Sequence, residues 1–158
     1  KDRAKKFVEE LAFVYRYLLQ SSEKPLIPLS EELAFIKAYY FLLKTRFDER
    51  LLLDIYVGNE IAQQMIPPLT LQILLENAVK HNIISQETPL HIVISEVNSN
   101  KVVISNTLQR RAQSVVSTQT GLANLAAKYQ LMQQPGPEIF ETQDKFSVQI
   151  TLLPNQAS

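Results

Sequence analysis

Cysteine is absent from this chain of 158 residues. Its absence excludes disulfides, thiol nucleophiles and thiolate metal sites, and fits a reducing compartment. Neither sign of charge is in excess, because 16 basic residues balance 16 acidic ones. No global field therefore draws the chain toward nucleic acid. No run of Lys and Arg makes a membrane-surface patch. No apolar stretch reaches the ~18 residues that a membrane-crossing helix needs, and no signal-peptide pattern stands at the start. Repeats and low-complexity tracts are missing too. The chain opens at Lys1, already inside a helical pattern. The expectation is a piece of a longer protein, with any membrane anchor outside it. The length suffices for one domain, or one domain with an appendage, and a sizeable core.

What is present reads as alternating helices and strands. Over residues 3–20, Phe7, Leu11, Val14 and Leu18 form a heptad-like seam or the face of an ordinary amphipathic helix. Two prolines in SSEKPLIPLS, residues 21–30, make a linker or short edge strand. Ser30 is the expected N-cap of a second helix running to about Arg46, with Glu31 and Glu32 in the first turn, where its dipole favours them. Leu33, Ile36, Tyr40 and Leu43 line one face of that helix. LLLDIYV, residues 51–57, is strand-like, and Gly58 and Asn59 mark the turn after it. Pro67 and Pro68 are expected to start a third helix. Residues 90–97 and 101–105 read as a hairpin. Residues 106–120 are polar and aperiodic. Gly121 opens a fourth helix with Leu122, Leu125, Ala126 and Tyr129 on one face, and two strands follow near 138–142 and 145–153. Helices interspersed among mostly sequential hairpin strands predict an α+β two-layer sandwich.

One stretch of the third helix stands out. LLENAVKHN, residues 74–82, places Glu76, Asn77, Lys80 and His81 close together in an apolar segment. Leu71, Leu74, Leu75 and Ala78 share one face, and Gln72, Glu76, Asn77 and Lys80 lie opposite. A plain i,i+4 ion pair of Glu76 with Lys80, worth a few tenths of a kcal/mol, accounts for part of this. The composition supports a sharper reading. An amide beside a carboxylate suits hydrated Mg²⁺, which takes only one or two protein oxygens. The carboxylate can act as a general base. Lys80 and His81, one turn on, can meet phosphate oxygens.

Glu76-Asn77-x-x-Lys80-His81 resembles the N-box of the Bergerat-fold ATP-binding family, which includes sensor histidine kinases and gyrase-type ATPases. Ile66-Pro67-Pro68-Leu69-x-Leu71-Gln72-x-x-x-Glu76-Asn77 resembles the LytS-like, or YehU-like, sensor histidine kinases of bacterial two-component systems. Tyr15-Arg16-Tyr17-Leu18, Leu29-Ser30-Glu31-Glu32-Leu33, Tyr39 and Arg46-Phe47 match the same family's spacing. Gly121-Leu122-x-Asn124 resembles its second glycine box, and Phe146-x-Val148 with Leu153-Pro154 its last strand. The resemblance implies a Bergerat fold, with a mixed sheet, helices on one face and ATP between the helices and a lid. It implies Glu76 as candidate base, Asn77 as Mg²⁺ ligand, and Lys80 and His81 near the phosphates. Residues 107–120 would form the ATP lid, with Thr120, Gly121, Leu122 and Asn124 at its end. Residues 1–22 would be the second helix of a dimerisation and phosphoacceptor hairpin, and residues 23–158 the ATP-binding domain. The implied partners are a response regulator and a second copy of the kinase. The implied location is the cytoplasmic side of a bacterial inner-membrane protein.

The chain departs from the family pattern in two places. Asn106 stands where the adenine-binding Asp of an Asp-x-Gly-x-Gly box is expected, and an amide can both donate to and accept from an adenine edge. Gln119 replaces the first glycine of the second box, leaving Gly121. The acceptor His of the family is also absent. Only His81 and His91 occur, neither in such a motif, and His91 is expected to face solvent. Alternatives are a non-catalytic Bergerat scaffold, which the lost glycines suggest, and a self-sufficient gyrase-type ATPase.

Overall fold

The computed structural model describes residues 2–21, 23–109 and 119–155, without the side chains of 119 and 120. Helix α1 (Asp2–Ser21) leads through β1 (Ile27–Pro28) into α2 (Leu29–Phe47). A 3₁₀ turn precedes β2 (Leu51–Tyr56), and another precedes β3 (Met65–Ile66). Then come α3 (Thr70–His81), the hairpin β4 (Leu90–Asn98) and β5 (Lys101–Thr107), α4 (Gln119–Leu131), and the hairpin β6 (Glu138–Glu141) and β7 (Lys145–Thr151).

Five strands form a mixed sheet in the order β2-β4-β5-β7-β6. β2 runs parallel to β4, with Leu51 opposite Leu90, and the other neighbours are antiparallel. Alternation fixes the buried face: Leu90, Ile92 and Ile94 of β4, Val102 and Ile104 of β5, and Val148 and Ile150 of β7 point into the core. Leu33 and Ile36 of α2, Leu71, Leu74, Leu75 and Ala78 of α3, and Leu125 and Tyr129 of α4 cover that face. The result is the expected α+β two-layer sandwich. The Tyr129 hydroxyl, buried within it, donates to Thr151 O at 2.6 Å. β1 and β3 pair separately, and Met65 bridges to Leu153.

α1 packs on α2 through Val14, Phe35 and Ala38, with Phe13, Tyr17 and Leu18 beside them. The expected seam is split, because Val14 is buried while Leu11 is 46% exposed. Val8, Leu11 and Tyr15 instead form an exposed apolar stripe on the outer side of α1.

Three helix starts differ from the sequence reading. α2 begins at Leu29 after Pro28, and no side chain caps it, so Ser30 lies inside its first turn. The Leu29 N–H donates to Gln64 O at 2.7 Å, which ties the helix start to the β1–β3 unit. Pro67 and Pro68 precede α3 rather than opening it. The chain first turns through Leu69 in the left-handed region, φ 67°. α4 begins at Gln119, so Gly121 lies within its first turn.

Candidate functional site

α3 is seated by a carboxylate from another helix. Glu32 of α2 is completely buried. Its Oε2 accepts the Leu69 N–H at 3.0 Å, and its Oε1 accepts the Leu71 N–H at 3.1 Å. The Tyr17 hydroxyl of α1 donates to the same carboxylate. The first N–H groups of a helix have no partner within it, and a negative charge there is favoured by the dipole. Glu32 thus lies in the first turn of α2, as the sequence suggested, and its carboxylate serves the start of α3. It also holds Leu69 in a left-handed conformation that costs an L-residue about 1–2 kcal/mol. Burial lifts the Glu32 carboxyl above the usual carboxylate range, opposed by the Tyr17 hydroxyl and the N–H groups of Leu69, Leu71 and Thr70. Burial, then the Glu32 charge, pushes the Tyr17 hydroxyl well above the usual phenol range, so it stays a donor.

The polar face of α3 lies one to three turns further on. Glu76 is half-buried. The ion pair with Lys80 that the spacing offers is not formed among the described residues. Glu76 Oε1 instead accepts the Tyr39 hydroxyl of α2 at 3.3 Å, while Lys80 is exposed. Burial, then the Glu76 charge, pushes the Tyr39 hydroxyl up to about 12. Asn77 is half-buried, yet its Oδ1 is wholly buried and accepts no hydrogen bond among the described residues. Ile73, one turn earlier on the same side, faces α4. A Cβ added to Gly121 would lie 3.0 Å from Ile73 Cγ2. Glycine therefore lets the first turn of α4 approach α3 beside Asn77.

The end of α3 is clamped by a residue that the sequence reading passed over. Asn82 is buried, and its Nδ2 donates to Ala78 O at 2.8 Å. Its Oδ1 accepts the Gln109 N–H at 2.6 Å, and the Ile83 N–H donates back to Gln109 O at 2.7 Å. On its other side, the Leu108 N–H donates to Asp144 O at 2.9 Å. The chain leaving β5 is thus fixed to the end of α3. Asn in LLENAVKHN followed by an apolar pair was the available signal, but its partner lies 27 positions away.

Asn106 is buried at the end of β5, on the core side with Val102 and Ile104, and its Nδ2 donates to Thr107 O at 2.7 Å. His81 is half-buried at the end of α3. Gly121 and Leu122 are half-buried and Asn124 is exposed on α4. Most of the expected lid, residues 110–118, and the Thr120 side chain lie outside the described residues. The structure thus sets Gly121 against Ile73, one turn before Glu76 and Asn77 on α3, and leaves Lys80 and Asn124 at the surface. His91 is not simply solvated as expected. Its Nε2 lies 2.6 Å from Asp54 Oδ2 across the parallel β2–β4 pair.

The "Histidine kinase" family model matches residues 1–51, the part comprising α1, β1 and α2. The sensor protein LytS of Bacillus cereus is 35% identical over 80 residues, covering 51% of this chain and 14% of that protein. The sensor histidine kinase/phosphatase LytS of Staphylococcus aureus is 28% identical over 114 residues, covering 72% and 20%. The chain therefore spans a fifth or less of the length of these relatives. Among solved structures, the cytoplasmic segment of the histidine kinase QseC has a TM-score of 0.54 at 16% identity, covering 98% of this chain and 95% of that one. Full-length ShkA in complex with AMPPNP has a TM-score of 0.51 at 19% identity, covering 96% and 36%. The fold is that of histidine-kinase catalytic regions. In sequence, the chain is similar to these LytS sensor proteins over half to three quarters of its length.

Proposed function

We propose that this chain is the ATP-binding catalytic region of a two-component sensor histidine kinase. It would direct the γ-phosphoryl group of ATP to a histidine outside these residues, from which an aspartate of a response regulator receives it. The observation that carries this reading is the buried, unpartnered Asn77 Oδ1 beside Glu76. An acceptor oxygen left without a donor suits a cation, and Mg²⁺ needs only one or two such protein oxygens. When bound, Mg²⁺ would supply positive charge to the phosphate oxygens. Glu76 would be the base for the incoming histidine nitrogen. Lys80 and His81 would meet phosphate oxygens from the next turn. Backbone N–H groups at Thr120, Gly121 and Leu122, at the start of α4, suit phosphate, with Asn124 in the same turn. Asn106 would meet the adenine edge through its free acceptor capacity. The likeness to a kinase solved with AMPPNP supports a nucleotide in this place.

In this reading, residues 1–22 belong to a dimerisation hairpin and residues 23–158 to the nucleotide-binding domain. The exposed stripe of Val8, Leu11 and Tyr15 supports a helical partner for α1, in a homodimer of the intact kinase. No described helix is long and apolar enough to cross a membrane. The reading puts this region on the cytoplasmic side of a bacterial inner-membrane protein, anchored only by segments outside the sequence. It assigns no nucleic-acid partner.

A non-catalytic Bergerat scaffold is the second reading. Asn106 favours it, because its Nδ2 is committed to Thr107 O and cannot also serve adenine without rearrangement. Calorimetric titration with ATP, with and without Mg²⁺, separates the two. Saturable, Mg²⁺-dependent heat supports the kinase reading. No heat at millimolar nucleotide supports the scaffold.

A further inference from the structure

We infer that Tyr39 is a positioning residue for Glu76, and that the aromatic column behind it anchors that carboxylate to α1. Tyr39 lies on α2, 37 positions from Glu76, and its hydroxyl is the donor to Glu76 Oε1 at 3.3 Å. Such bonds are often long before a ligand binds and tighten in the reactive complex. Burial, then the Glu76 charge, keeps the hydroxyl protonated to about 12 and so able to donate, opposed by a hydrogen bond with the Gln72 side chain. The ring is not free to swing. It stacks on Phe35 with centroids 5.9 Å apart and planes 13° apart. Phe35, completely buried, stacks in turn on Tyr17 of α1, at 4.3 Å and 15°. Tyr17 closes the path, because its hydroxyl binds Glu32, which holds the Leu69 and Leu71 N–H groups at the start of α3. α1 is therefore linked to α3 twice, each time through α2: by Glu32 at the helix start, and by the stacked rings of Phe35 and Tyr39 at Glu76. Fixing a base within tenths of an ångström of its working geometry is what such supports contribute to catalysis.

This inference rests on the proposed function for its catalytic meaning, and the experiment keeps the two apart. Tyr39→Phe keeps the stack and removes only the hydroxyl. The first arm uses the nucleotide-free, ¹³C-labelled chain at fixed pH. The Glu76 carboxyl carbon should shift in Tyr39→Phe, and the couplings reporting its χ1 should move toward rotamer averages. Tyr40→Phe, which loses a bond to Leu51 O, should leave both unchanged. An unmoved Glu76 signal in Tyr39→Phe overturns the inference, whatever the chain binds. The second arm titrates ATP with Mg²⁺. Parent and Tyr39→Phe should agree within about twofold, and failure of both to bind counts against the proposed function alone. The third arm measures phosphoryl transfer in the longer kinase that this reading implies. Tyr39→Phe should slow transfer about tenfold, and adding it to Glu76→Gln should slow it no further. Additive effects of the two changes would overturn the inference, because a residue acting through Glu76 has nothing to position once that carboxylate is gone.

Discussion

Glu32 and Asn77 are both polar groups removed from water on or beside α3, and the fold treats them in opposite ways. Glu32 is completely buried, and each of its oxygens accepts a donor from another element. Asn77 keeps a buried Oδ1 that meets no donor among the described residues. A buried acceptor left unpaired costs about 1–3 kcal/mol, and a fold that retains one needs a reason for it. The difference separates two kinds of polar burial. A satisfied group fixes where a helix sits. An unsatisfied one, beside a carboxylate, leaves an acceptor open, which the proposed function gives to a ligand.

The contrast can be broken from either side. Glu32→Ala strands the Leu69 and Leu71 N–H groups and releases a strained Leu69, so stability should fall by about 3 kcal/mol, read from the urea midpoint. The same site carries a pH signature. Burial raises the folded pKa of Glu32 above its unfolded value, so the folded chain binds this proton more tightly. The stability it contributes is complete below the usual carboxylate range and is lost as pH rises through the folded value. Glu32→Gln should flatten that loss in a series of urea midpoints. Asn77→Ala removes the unpaired acceptor, so it should raise the urea midpoint or leave it in place, and it should weaken Mg²⁺-dependent ATP binding by about a hundredfold, or ~2.7 kcal/mol. Equal affinity in parent and variant would remove Asn77 from the site. Tyr129→Phe, which loses one buried bond to Thr151 O, should cost about 1 kcal/mol without altering nucleotide binding. The smallest effect belongs to Gly121→Ala. The better helix former contributes roughly 1 kcal/mol, and the contact with Ile73 Cγ2 opposes it, so the net change should be under about 1 kcal/mol. Ile73→Val should make Gly121→Ala more favourable, measured by the same denaturation.

The side of this contrast that the proposal gives to a ligand stands out in the sequence, and the supporting side does not. Glu76, Asn77, Lys80 and His81 announce themselves because charge and amide are out of place in an apolar helical segment. The hairpin of β4 with β5 and the last strand follow from alternation, and the structure keeps them to within two residues. Glu32 looked like an ordinary acidic residue in a first turn. Its true partners lie 37 and 39 positions on, and local rules carry no information at that range. Leu69 gave no warning of a left-handed backbone, because apolar residues rarely adopt it and the cause is Glu32. Ser30 failed as a cap because a tertiary bond from Leu29 to Gln64 O starts the helix earlier. The pairing of Tyr39 with Glu76, and of Asn82 with Gln109, likewise depends on how elements pack rather than on spacing within them.

The most direct test of the contrast is the side-chain amide resonance of Asn77 in a ¹⁵N-labelled chain. ATP with Mg²⁺ should shift it, and ATP with a chelator should not, while the Asn82 amide, tied to Ala78 O and Gln109, moves little. An Asn77 amide that stays in place at millimolar Mg²⁺ and ATP would contradict the account and leave the unpartnered oxygen without a ligand.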